Sequence, residues 1–139
     1  MMETRKRILL VDDEKDVSIA TEAVLKESGF NVESYEDPFY AIENFKINSY
    51  ALVILNIKMP RINGFQLYRE LKKKAKKVKI CFLTAGEVHY GAFRDIFSAV
   101  DTNCFIRKPV TNEELVERVS QIIDNDNTLV EVNSTQARS

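Results

Sequence analysis

The chain has 139 residues, 45% of them hydrophobic, which is enough for one domain with a real core and too little for two comfortable ones. Twenty lysines and arginines against 21 aspartates and glutamates leave a net charge of -1, so no global field draws the protein to nucleic acid or to an anionic membrane. The longest apolar stretches, such as residues 51–55 and 80–83, are far too short to span a bilayer, and the opening MMETRKRILLV has neither the h-region nor the cleavage site of a signal peptide, which points to the cytoplasm.

Short β-branched runs alternate with amphipathic stretches five times. Residues 8–11 (ILLV) predict a first strand, and 15–28 place Val17, Ala20, Val24 and Leu25 at helical spacing before Gly29 stops the helix. Residues 31–35 (NVESY) alternate as a half-exposed strand, after which Asp37 and Pro38 supply an N-cap and a pre-set first residue for a helix burying Ala41, Ile42 and Phe45. The run 51–55 (ALVIL) is apolar on both faces, as a central parallel strand must be, and a loop with Gly64 leads to a helix carrying Phe65, Leu67, Tyr68 and Leu71. Residues 78–83 (VKICFL) predict a fourth strand, followed by a helix over 88–100 with Tyr90, Phe93, Ile96, Phe97 and Val100. Residues 104–106 (CFI) lead to a helix from Thr111, where Thr111 and Glu114 have capping-box spacing and Leu115, Val119 and Ile122 face inward. Five βα units imply an α/β fold with a parallel sheet covered on both faces, because right-handed crossovers join parallel neighbours most easily. This reading gives one domain over residues 1–123 and a polar, aperiodic tail over 124–139 (DNDNTLVEVNSTQARS), with no helix-turn-helix after Ile123.

The strands end in a particular set of side chains. Asp12, Asp13 and Glu14 follow the first, Asn56 the third, Thr84 and Ala85 the fourth, and Lys108 and Pro109 the fifth, all at the edge where open α/β sheets carry ligands. Adjacent carboxylates suit a hard, oxygen-ligated cation that keeps several waters, which describes magnesium. A hydroxyl at Thr84 and an ammonium at Lys108 are what a phosphoryl group needs on its remaining oxygens.

The segments VDDE, LVILNIKMPRINGF, LTA and FIRKP, in that order and spacing over residues 7–123, resemble the receiver domains of two-component response regulators. The resemblance implies a five-stranded, flavodoxin-like, doubly wound sheet of order 2-1-3-4-5. It also implies that Asn56 stands where the family has the aspartate that accepts a phosphoryl group from a sensor histidine kinase. On the same footing, Asp13 would ligate Mg2+ directly, Asp12 would act through water, Lys58 would offer its backbone carbonyl, and Asn56 would complete the metal set. Thr84 and Lys108 would contact the phosphoryl group, with Lys108 before a cis-proline, Pro109. Phe105 matches an aromatic switch position that turns inward when Thr84 is drawn to the phosphoryl group. The output face for a downstream protein would be the fourth helix, fifth strand and fifth helix.

An amide at position 56 is neutral, delocalised and far less nucleophilic than a carboxylate, so no stable phosphorylation is expected and the chain is no enzyme. Losing one of three clustered charges weakens the hold on magnesium but also relieves Asp12 and Asp13, so the metal-free fold should be more stable than with Asn56→Asp. Two origins fit Asn56 from sequence alone: an engineered replacement that locks the unphosphorylated state, or a natural pseudo-receiver acting as a phosphorylation-independent interaction module. A nucleotide or flavin binder would need a glycine-rich phosphate loop where this chain has DDEKD, and a D-x-D phosphohydrolase would need alternating aspartates.

Other features have plainer readings. Cys81 and Cys104 lie in apolar strand-like runs and read as reduced core residues. The lysine-rich run 72–79 lacks interleaved aromatics and reads as a solvated helix end whose charge complements the helix dipole. His89, the only histidine, has no ligand-spaced partner and reads as a surface residue. Tyr90, Phe93 and Phe97 make a face wide enough to serve either the core or a partner.

Overall fold

The computed structural model describes residues 6–84 and 105–124. Five strands, β1 (Arg7–Val11), β2 (Asn31–Tyr35), β3 (Leu52–Asn56), β4 (Ile80–Thr84) and β5 (Phe105–Arg107), alternate with helices α1 (Lys15–Glu27), α2 (Pro38–Glu43), α3 (Gly64–Lys74) and α4 (Asn112–Asp124). The sheet is parallel throughout with order β2-β1-β3-β4-β5. Ala85, Cys104, the helix expected over 88–100 with His89 and its aromatic face, and the tail after Asp124 lie outside the described residues.

Successive strand residues point to opposite faces, so one apolar run feeds two cores. Leu9, Val11, Val53, Leu55 and Phe82 pack against Ala41 of α2 and Phe65, Leu67 and Leu71 of α3. Ile8, Leu10, Leu52, Ile54, Cys81, Leu83 and Ile106 pack against Leu25 of α1 and Leu115 and Val119 of α4. Every residue of β3 and β4 is buried, so truncating Leu55 or Leu83 to alanine costs about 2–5 kcal/mol.

Local chemistry sets the end of α1 and the starts of α2 and α4 where the sequence places them. Gly29, at φ +98°, donates its N–H to the Lys26 carbonyl, and Phe30 donates to that of Leu25, closing α1. The Asp37 carboxylate accepts the Phe39 N–H at 2.9 Å, with Pro38 in the first turn. At α4 the Thr111 hydroxyl accepts from the Glu114 N–H at 3.0 Å, and the Glu114 carboxylate from the Thr111 N–H at 3.1 Å.

Two helical expectations need correction. The inward line of α1 is Ser18, Thr21 and Leu25, while Val17 and Val24 are half-buried and Ala20 is exposed. Ala20 and Val24 instead wall a cleft of about 460 Å³ shared with Pro109, Val110 and Leu115. The second helix stops at Glu43, because the Asn44 backbone N–H and side-chain amide both take the Tyr40 carbonyl, so Phe45 lies beyond its end and is half-buried.

In the lysine run, Lys72, Lys73 and Lys74 occupy the last turn of α3. Lys72 Nζ donates to the carbonyls of Lys76 and Val78, at 3.1 and 2.8 Å. Lys79 Nζ donates to those of Ile122 and Ile123 at 3.0 and 2.8 Å, tying the end of α4 to the start of β4.

Candidate functional site

β1 and β3 pair with Val11 opposite Leu55, so the next residues along these two segments, Asp12 and Asn56, meet at the carboxyl edge. Asn56 closes β3 beside Leu83, and Thr84 closes β4 beside Arg107. The Lys108 N–H donates to the Thr84 carbonyl at 2.7 Å, and the Lys108–Pro109 peptide is cis. The backbone therefore brings Asp12, Asn56, Thr84 and Lys108 to one rim.

Asn56 Nδ2 is the focus of that rim. It lies 3.3 Å from Asp12 Oδ1, 3.2 Å from Asp13 Oδ1 and 3.1 Å from the Lys58 carbonyl oxygen. All three neighbours are acceptors, so the nitrogen, not the oxygen, must face them, and its two hydrogens serve three oxygens.

Asp12 is 1% exposed and takes the Glu14 N–H on Oδ1 at 2.9 Å. Burial pushes its carboxyl above the usual range, against the pull of the Glu14 N–H and the Lys108 charge, while Asp13 and Glu14 add to the rise. Among the described residues no group of three or more His, Cys, Asp or Glu side chains is disposed to hold a metal ion. The rim instead offers two carboxylates and one carbonyl.

Gly64 sets how closely α3 approaches this edge. Its N–H donates to the Ile57 carbonyl at 2.8 Å, and a Cβ there would meet the Asn56 carbonyl oxygen at 2.5 Å and Ile57 Cα at 2.9 Å. The preceding Asn63 forms a capping box with Gln66: the Asn63 side chain accepts the Gln66 N–H at 2.9 Å and the Gln66 side chain accepts the Asn63 N–H at 2.8 Å. The spacing Asn63-x-x-Gln66 carried that signal in the sequence, although the expectations above passed over it.

Phe105 is half-buried, stacked on Phe82 with centroids 5.0 Å apart at 22° and 6.3 Å from Phe65. It belongs to the same core as α3.

The response regulator receiver domain family matches residues 8–120. The chain is 29% identical over 122 residues to the transcriptional regulatory protein RprY of Bacteroides fragilis, covering 88% of this chain and 51% of that protein. It thus spans about half the length of the curated relatives it matches. Among solved structures it superposes on the response regulator TrrA of Thermotoga maritima in complex with Mg2+ and BeF, with TM-score 0.71 and 35% identity, over 84% of this chain and 98% of that one. It also superposes on the non-phosphorylated HemR receiver domain of Leptospira biflexa, with TM-score 0.74 and 28% identity, over 87% of this chain and 96% of the other. No helix among the described residues is long and apolar enough to cross a membrane. Sheet order and sequence agree, and the chain belongs to the response regulator receiver domains of two-component signalling.

Proposed function

We propose that this chain is a receiver domain held in its unphosphorylated state, with Asn56 at the position that accepts phosphoryl in the family. The observation that carries this reading is Asn56 Nδ2 within 3.3 Å of Asp12, Asp13 and the Lys58 carbonyl. An acceptor carboxylate would stand beside its cation at that place, and a neutral carboxamide there lacks the charged oxygen that attacks phosphorus.

Three hard oxygens around one atom also fit a small divalent cation, so the rim passes the chemical test for Mg2+. Asp12, Asp13 and the Lys58 carbonyl would hold it, with weaker affinity than a three-carboxylate site. When bound, the cation supplies positive charge for phosphoryl oxygens. Thr84 and Lys108 contribute a hydroxyl and an ammonium at the same rim, and Phe105 reports the state of the Thr84 side of the sheet. The partners are a sensor histidine kinase and a downstream protein docking on the region of residues 88–100, β5 and α4, without direct contact to nucleic acid or membrane, in the cytoplasm.

A second reading, a natural pseudo-receiver working as a phosphorylation-independent interaction module, is favoured by one feature: Asn56 Nδ2 finds three acceptors within the protein itself. One experiment separates the two. Asn56→Asp is mixed with Mg2+ and either acetyl phosphate or beryllofluoride, and mass gain and chemical shifts of Thr84 and Phe105 are followed. A response at both residues supports the arrested switch, and silence supports the fixed module.

A further inference from the structure

We infer that the Asn56 carboxamide is a built-in plug of the cation cradle: its Nδ2 group stands in for the divalent ion, so that amide and metal compete for the same three oxygens. The inference rests on reading Asp12, Asp13 and Lys58 as that cradle, and it adds a direction. The side chain that the resemblance places in the metal set here opposes the metal.

The oxygens Asp12 Oδ1, Asp13 Oδ1 and Lys58 O belong to two different chain segments, and the points where they approach are defined by one atom, Asn56 Nδ2, at 3.3, 3.2 and 3.1 Å. Asn56 is 9% exposed, so its amide hydrogens have little water to fall back on. With two N–H groups aimed at three acceptors, the amide hydrogens carry the partial positive charge that offsets the acidic pair. Asp12 Oδ1 accepts a second donor, the Glu14 N–H at 2.9 Å, which fixes the carboxylate from the other side. Each of the three cradle oxygens thus already has a protein donor in Asn56 Nδ2. A cation must first break the amide's contacts. The carboxamide then turns its oxygen inward or leaves, and either way the protein forfeits bonds that a smaller residue never had.

The sign of one substitution tests this. Removing the side chain with Asn56→Ala takes away both a possible oxygen ligand and the plug. If the carboxamide is a ligand, Mg2+ binds more weakly to the alanine variant; if it is a plug, Mg2+ binds more tightly. Calorimetric titration of the full chain with MgCl2 should show about 5-fold tighter binding to Asn56→Ala than to the unaltered chain, equivalent to one net hydrogen bond no longer broken. Weaker or equal binding overturns the plug.

A second readout needs no variant. The Asn56 side-chain amide resonances in 15N-labelled protein should move at the same Mg2+ concentrations that move the Asp13 backbone amide. An Asn56 amide that stays put while Asp13 responds also overturns the inference. Asn56→Asp serves as the control for the underlying reading: if that variant takes up no Mg2+, the cradle itself is wrong and the plug falls with it.

Discussion

Two acids, one on β2 and one just past the end of β1, live in opposite surroundings. Glu33 on β2 faces Arg7 at 2.9 Å, Lys46 at 3.3 Å, the Tyr35 hydroxyl at 2.7 Å and the Tyr50 hydroxyl at 3.1 Å. Asp12, at the end of β1, is buried and has a backbone N–H and the Asn56 amide as its close donors. The outcome follows from the partners. Burial raises the Glu33 carboxyl, but hydrogen bonds from Tyr35, Tyr50 and Lys46 outweigh it and hold it below the usual range, whereas Asp12 is held above its own. A carboxylate that the fold uses as a strut is neutralised from all sides, and one left to dipoles is a place for an outside charge.

The largest expected effect tests how rigid the rim is. Gly64→Ala drives a Cβ into two backbone groups of β3 and its exit, at 2.5 and 2.9 Å, neither able to swing away as a side chain does. A loss of about 3 kcal/mol in urea unfolding is expected, because the strand end carrying Asn56 must shift. The Glu33 edge is held by ion pairs and hydroxyl hydrogen bonds instead. There, Glu33→Gln leaves Arg7 and Lys46 without a charged acceptor, for a loss of about 2 kcal/mol by the same measurement. Equal and small effects at both places would erase the contrast between a packed rim and a charge-stitched edge.

The sequence carried the strands and the rim better than the connections between distant surfaces. β3 and β4 are readable within one or two residues because burial on both faces demands unbroken apolar runs. Asp12, Asn56, Thr84 and Lys108 are readable because each terminates or follows such a run, and parallel strands put those ends together. The inward face of α1 was not readable. Val17, Ala20 and Val24 satisfy a helical period as well as Ser18, Thr21 and Leu25 do, and only the cleft against α4 decides between them. The Glu33 cluster gathers residues 7, 33, 35, 46 and 50, whose meeting depends on register and on the path after α2. Likewise, Lys79 reads as solvated charge until α4 is in place to receive it.

A smaller and opposite effect is expected at Asp12. Asp12→Asn keeps an oxygen for the Glu14 N–H and the Asn56 amide while removing a buried charge that the Lys108 charge offsets only in part. In chelator, thermal unfolding should show a gain of about 1 kcal/mol, the reverse of Glu33→Gln. A loss of similar size would mean that the charge of Asp12 is already answered within the protein, and the comparison of the two acids would collapse.

The pH dependence of the Glu33 cluster gives the finest test, because its groups move in both directions. Glu33 is held below its ordinary 4.5, so its contribution is complete above that value and is lost as pH falls through the lower folded value. The tyrosines behave as the mirror case. Burial first, then the charge and hydrogen bond of Glu33, push the Tyr50 hydroxyl up to about 12, and the hydrogen bond to Glu33 followed by burial raises Tyr35 as well. Between the ordinary value of 10 and those raised values the native state holds protons that the unfolded chain has released, so stability falls as pH rises through this window. In Glu33→Gln the tyrosines lose the neighbour that raised them, and their ionisation, followed by ultraviolet difference absorbance, should move back toward that of free tyrosine. The stability difference between the two proteins should then narrow at both ends of the pH range and be widest near neutrality, a profile that neither packing loss nor a simple surface ion pair produces. A difference that stays flat from acid to alkali would show that Glu33 acts through shape alone.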